Sequence, residues 1–160
     1  MILFHGSLQI VKAPRILVST RTLDYGPGFY TTTSEQQARE WVLRKLSGAD
    51  VGHINVYDFD EQKASGLDWL SFNNPPDEDW VDFVHANRTQ RGFTHTHDLV
   101  YGPVANDRVY AAFALYEQGL LGKQELIAEL KTYKLIDQML FHTEKALRTL
   151  TFKQAKEVRL

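Results

Sequence analysis

Phe29-Tyr30-Thr31-Thr32-Thr33-Ser34-Glu35-Gln36-Gln37-Ala38-Arg39-Glu40-Trp41-Val42-Leu43-Arg44-Lys45 changes character at Ser34. Before it, aromatic and β-branched residues suit a strand. After it, Ser34 with Gln37 three residues on resembles a capping box. Ala38, Trp41, Val42 and Lys45 then keep helical spacing until Ser47-Gly48. A strand running straight into an amphipathic helix is therefore the unit from which the rest is read.

Upstream, Ile2-Leu3-Phe4-His5 reads as a short buried strand stopped by Gly6-Ser7. Arg15-Ile16-Leu17-Val18 is a weaker extended piece after Pro14, and Asp24-Tyr25-Gly26-Pro27-Gly28 carries turn chemistry. Downstream, Ile54 to Phe59 alternates with period two as a half-buried strand. Asp77-Glu78-Asp79 opens a helix whose apolar face continues through Trp80, Phe83, Val84 and Ala86. Asp98-Leu99-Val100-Tyr101 is a strand closed by Gly102-Pro103. Asn106-Asp107 caps a helix from Asp107 to Gln118, and Lys123 to Tyr133 is another. Gln138 to His142 reads as a strand, Glu144 to Leu147 as a helical turn that Thr143 would cap, and Leu150-Thr151-Phe152 as the last strand. Strands and helices mix without a steady strand-helix-strand rhythm, which favours α+β over a doubly wound sheet.

At 160 residues, with 43% hydrophobic and 12% aromatic side chains, the chain can bury one sizeable core, and no linker divides it. We expect a single domain over 1–160. Lys and Arg number 18 against 20 Asp and Glu, a net charge of −2, so there is no broad cationic surface for non-specific nucleic-acid binding. The absence of cysteine removes disulfides, thiolate metal sites and cysteine nucleophiles, and fits a reducing compartment. The opening Met1-Ile2-Leu3-Phe4-His5-Gly6 lacks the basic and long apolar parts of a signal peptide, and no run nears the roughly 18 apolar residues of a membrane span. A soluble, cytoplasmic chain without membrane attachment is expected.

Two short segments carry the chemistry. His5-Gly6-Ser7 ends one strand, and Gly26-Pro27-Gly28-Phe29-Tyr30 begins another. Alone, each is ordinary: His5 reads as a strand-end histidine, and the glycines as a turn before a core tyrosine. In this order they resemble the first two motifs of the ADP-ribosyltransferase superfamily, in the branch of diphtheria-type toxins and poly(ADP-ribose) polymerases. The third motif of that branch is a strand led by Glu or a substitute, and Gln138 opens a strand where it would fall. The whole chain is also similar to the bacterial family called domain of unknown function 3990. Phe4 to Ser7, Asp24 to Tyr30, Asp98 to Ala105 and Phe141 to Leu147 carry that likeness.

The resemblance implies a split β-sandwich of two small, mainly antiparallel sheets with helices around them. It implies an NAD cleft, no metal, and transfer of ADP-ribose to a macromolecular acceptor, protein or nucleic acid. It further implies a toxin with a cognate antitoxin as partner. NAD would be bound by His5, Gly6, Ser7, Gly28 and Tyr30: His5 would bond the adenosine ribose or the nicotinamide side, Gly6 the carboxamide through its backbone, and Tyr30 would stack on the nicotinamide ring. His5, Tyr30 and Gln138 would form the catalytic set, with Gln138 bonding the nicotinamide ribose. Cleavage of that glycosidic bond passes through an oxocarbenium-like state, and neutral Gln138 offers hydrogen bonds but no anion. Three outcomes stay open: transfer without a glutamate, Asp98 or Glu144 as the missing carboxylate, or NAD binding with little turnover.

A rival signal is Thr94-His95-Thr96-His97-Asp98, where two histidines one residue apart share a strand face. No cysteine completes a site, and His53, His85 and His142 show no paired spacing, so no metal is expected. Trp41, Trp69 and Trp80 read as core or interface side chains, and Lys153 to Arg159 as a weak basic tail.

Overall fold

The computed structural model describes residues 1–16, 25–90 and 95–160; Leu17 and Val18, Asp24 and Thr94 of the segments above lie outside them. In chain order the elements are β1 (Ile2–Ser7), β2 (Phe29–Thr32), α1 (Glu35–Lys45), β3 (Gly52–Phe59), β4 (Trp69–Ser71), α2 (Glu78–Thr89), β5 (Leu99–Pro103), α3 (Asp107–Glu117), α4 (Lys123–Leu130), β6 (Asp137–Phe141), α5 (Glu144–Leu147) and β7 (Leu150–Val158). All the helices but α4 start where a short polar side chain accepts an otherwise orphaned backbone N–H: Ser34 from Gln37, Asp77 from Trp80, Asn106 from Val109 and Thr143 from Ala146.

The strands form one seven-stranded sheet in the order β4-β5-β6-β2-β1-β3-β7, antiparallel except for β4 beside β5. The fold is α+β, as the mixed rhythm of elements indicates. The expected pair of small sheets is corrected to this single sheet, and the reason is local. β1 and β2 meet at Phe4 opposite Thr32, whereas β1 pairs with β3 along its whole length from Ile2 to Ser7. That one bridge between diverging strands makes two strand groups continuous.

Register and the two-residue alternation of side chains decide the faces. Phe4 lies opposite Thr32, Thr32 opposite Gln138, and Tyr30 opposite Leu140. One face therefore carries Phe4, Gly6, Tyr30, Thr32 and Gln138. On the β1-β3-β7 side of this face, Ala38, Val42 and Leu46 of α1 pack on Ile54, Val56 and Val158. On the β5-β6 side, Trp80 and Val84 of α2, Val109 and Phe113 of α3, and Leu126 and Leu130 of α4 cover Val100 and Leu140. Between the two helical groups the sheet is left open. The opposite face buries Leu3, Phe29, Tyr57, Phe59, Met139 and Phe141 with Ala146 and Leu147 of α5.

Two fully buried polar side chains of this core show the pairing that burial favours. Trp80 is fully buried, and its indole N–H donates to the Tyr25 hydroxyl at 2.7 Å, which itself donates to Pro103 O at 2.8 Å. The fully buried Asn55 accepts from Val11 N and donates to Gln9 O, strapping the chain after β1 to the sheet. Among the described residues no helix is long and apolar enough to cross a membrane.

Candidate functional site

The open strip of sheet between α1 and α3 is a cleft of about 860 Å³. Its lining includes Gly6, Tyr30 and Gln138 with Phe4 and Thr32 on the floor, and His5, whose side chain alternates toward the opposite face and meets Phe29 there. Ser7, Gly28, Asp98 and Glu144 are not among its lining residues.

His5 sits in the gap where β1 and β2 part. Its Nδ1 lies 2.7 Å from Tyr30 O, and its ring tilts against Phe29 with centroids 4.3 Å apart. A carbonyl oxygen can only accept, so Nδ1 carries the proton and Nε2 keeps a lone pair for a ligand donor. Burial lowers the His5 pKa below 6.5, against the opposing pull of the Tyr30 carbonyl, so the ring is neutral at physiological pH. Tyr30 is tethered at its far end: its hydroxyl donates to Gly26 O at 2.6 Å and accepts from Tyr25 N at 3.3 Å. Gln138 is buried in the floor, opposite Thr32 on β2 and Gly102 on β5.

Gly6 has a structural duty beside any role toward a ligand. A Cβ there would lie 2.5 Å from Ala38 O and 2.9 Å from a Val42 methyl, so the missing side chain lets α1 come down onto β1. Gly28 likewise lies under β6, where a Cβ would be 2.8 Å from Phe141 O and 2.9 Å from His142 Nδ1. The Ser7 hydroxyl accepts from Gln9 N in the turn after β1. Asp98 accepts from Thr143 Oγ1 at 2.7 Å and Asp68 N at 3.0 Å, and these bonds hold its carboxyl below the usual range. Glu144 is exposed in the first turn of α5. Neither proposed substitute carboxylate stands in the cleft.

The walls hold residues that motif reading passes over. α1 contributes Gln37, Glu40, Trp41, Arg44 and Lys45, and the start of α3 contributes Asp107, Arg108 and Tyr110. Trp41, expected in a core or interface, is 42% exposed, with the Lys45 ammonium 5.5 Å from its ring centroid. Arg108 stands over the Tyr133 ring at 4.3 Å. A signal for this wall exists in the helix itself: with Ala38 and Val42 committed to the sheet, Trp41 falls at the edge of that stripe and Arg44 well away from it. The cleft thus combines a neutral histidine, an amide, aromatic surfaces and the cations Arg44, Lys45 and Arg108, a set suited to a ligand with ring systems, hydroxyls and a phosphate.

The paired histidines are engaged elsewhere. His95 Nε2 lies 3.1 Å from Tyr25 O, and His97 Nδ1 lies 2.9 Å from Asp68 Oδ1. Among the described residues no three His, Cys, Asp or Glu side chains converge as metal ligands. Burial lowers the pKa of His95 and takes that of His142 down to about 4. His5, His95 and His142 therefore take up protons less readily in the folded chain than in the unfolded one, whose histidines become charged as the pH drops below 6.5. The stability these neutral rings permit is complete above pH 6.5 and declines as the pH falls toward 4, with about 2 kcal/mol from His142 after allowance for its partial exposure. We expect a clearly lower Tm at pH 4.5 than at pH 7.5, with a shallower dependence in His142→Asn; calorimetry showing the same Tm at both would refute the assignment.

No curated protein and no solved structure matches the chain. A family model does match, over residues 1–152, which takes in every strand of the cleft floor and both helical walls. The chain belongs to the family described as protein of unknown function, DUF3990.

Proposed function

We propose that the chain is an NAD-dependent ADP-ribosyltransferase that binds NAD in this cleft and transfers ADP-ribose to a macromolecular acceptor. The observation that carries the reading is that His5, Tyr30 and Gln138, separated by up to 133 positions, all line one cleft at the parting of β1 and β2. His5 Nε2 accepts from a ribose hydroxyl, Tyr30 offers its ring to nicotinamide, and the Gln138 amide bonds the nicotinamide ribose. Arg44, Lys45 and Arg108 are the groups available to the pyrophosphate. In the transfer step the bond from ribose C1′ to the nicotinamide nitrogen breaks, and its electron pair leaves with neutral nicotinamide. A lone pair of the acceptor forms the new bond at C1′, and the acceptor's proton passes to solvent or a basic group. Holding both partners in this geometry is the main contribution expected of a site with no anion at Gln138.

A second reading, an NAD-binding module with little turnover, draws on the positions of Asp98 and Glu144 outside the cleft. The two separate in one assay. Incubation with labelled NAD and bacterial lysate is expected to label an acceptor, with labelling reduced roughly tenfold or more in His5→Ala and Tyr30→Ala. Wild-type labelling by both variants overturns the site. Tight NAD binding without nicotinamide release establishes the second reading instead. The toxin role and its antitoxin partner rest on the resemblance of the motifs, and predict that cytoplasmic expression arrests bacterial growth while His5→Ala relieves the arrest.

A further inference from the structure

Three consecutive carbonyls of the turn leading into β2 are each gripped by a side chain. His95 Nε2 lies 3.1 Å from Tyr25 O, the Tyr30 hydroxyl donates to Gly26 O at 2.6 Å, and His142 Nδ1 lies 2.6 Å from Pro27 O. Because carbonyls only accept, His95 donates from Nε2 and His142 from Nδ1. The other nitrogen of His95 agrees, accepting from His97 N at 3.3 Å. The two rings meet edge to face, with centroids 4.4 Å apart. Gly26, at φ +84°, turns its carbonyl toward the Tyr30 hydroxyl, and Gly28 leaves the space that the His142 ring occupies.

A second layer supports the rings. His97 is bonded to Asp68, Asp98 accepts from Asp68 N and Thr143 Oγ1, and His142 N donates to Asp98 O at 2.9 Å. The segments 95–98 and 141–144, which stand apart from the cleft, thus converge on residues 25–28. Since Tyr30 is anchored through Gly26 O, any shift of this turn carries the tyrosine ring with it.

We propose that His95 and His142 are positioning residues, a histidine clamp that sets the 25–28 turn and through it the orientation of Tyr30 in the cleft. The clamp rests on geometry alone; its effect on NAD rests on the function proposed above. His142→Phe and His95→Phe keep a planar aromatic ring, somewhat larger, and remove the donor, while His142→Asn and His95→Gln return an N–H near the lost Nδ1 and Nε2. Two measurements are made on each: amide hydrogen exchange over residues 25–32 against α4, and the Kd for NAD by calorimetry. In the two Phe variants we expect exchange over 25–32 to quicken about tenfold or more with α4 unchanged, and NAD binding to weaken about tenfold, with both recovered in His142→Asn and His95→Gln. Exchange at the wild-type rate in both Phe variants overturns the clamp. If the Phe variants do not fold, His142→Asn against His142→Gln, whose donor sits further out, gives the same contrast, and equal exchange in those two overturns it. Wild-type protein that binds no NAD defeats the proposed function, while the exchange result still decides the clamp.

Discussion

Replacing Gly6 with alanine is expected to lower folding stability by about 3 kcal/mol or more, the range in which overpacking a tight contact falls at its upper end. The added methyl has nowhere to go: Ala38 O is backbone at 2.5 Å, and the Val42 methyl at 2.9 Å belongs to a fully buried, β-branched side chain with little rotamer freedom. α1 must lift from the sheet, and with it the wall bearing Trp41, Arg44 and Lys45. Gly52 makes the complementary test. A Cβ there meets a Val42 methyl at 2.1 Å but no backbone closer than Ser7 O at 3.5 Å. Val42→Ala should therefore recover part of the loss in Gly52→Ala and little of it in Gly6→Ala, a difference that a double-mutant cycle reads directly. For a chain of this size the single Gly6 change corresponds to a Tm about 6–12 °C lower. A Gly6→Ala protein melting with the wild type would show that α1 does not seat this closely.

On the function proposed above, Gln138 is expected to dominate the chemistry. Gln138→Ala removes the amide from the cleft floor and should slow nicotinamide release about 10²-fold, the usual consequence of losing one preorganised donor near developing charge. Gln138→Glu nearly preserves shape and adds an anion where the ribose would become cationic, and should raise release about tenfold. The site is buried, so the new carboxyl titrates above the ordinary range and the gain grows with pH. The rate of nicotinamide release against pH for the three proteins is the measurement. Equal rates in the wild type, Gln138→Ala and Gln138→Glu, all folded, would remove this residue from the reaction.

Local elements were largely legible because their causes are local. Ser34, Asp77, Asn106 and Thr143 cap the helices that their sequence positions announce, and the alternation in Ile54 to Phe59 lies within β3. Elements that depend on a distant partner were not. Trp69–Ser71 has no strong pattern and becomes a strand by lying parallel to β5. β7 continues past Phe152 to Val158, through the residues read as a basic tail, because β3 offers a paired edge back to Gly52. Within that stretch Lys156 reaches Glu35 on α1, so its charge is already partnered. The exposed face of Trp41 was hidden for a similar reason: helical spacing shows that a face exists but not which residues the sheet will cover.

His5, Tyr30 and Gln138 were named from the resemblance of their motifs, and all three line the one cleft. The sequence by itself also settled the α+β class and excluded thiol chemistry, both properties of composition and short-range pattern. Tertiary structure alone decided that one bridge at Phe4 and Thr32 joins two strand groups into one sheet, and that Asp98 and Glu144 stand away from the cleft beside the histidines that hold the 25–28 turn. Those outcomes turn on strand register and on how closely glycines let a helix approach, quantities that arise only when residues far apart in the chain are brought into contact.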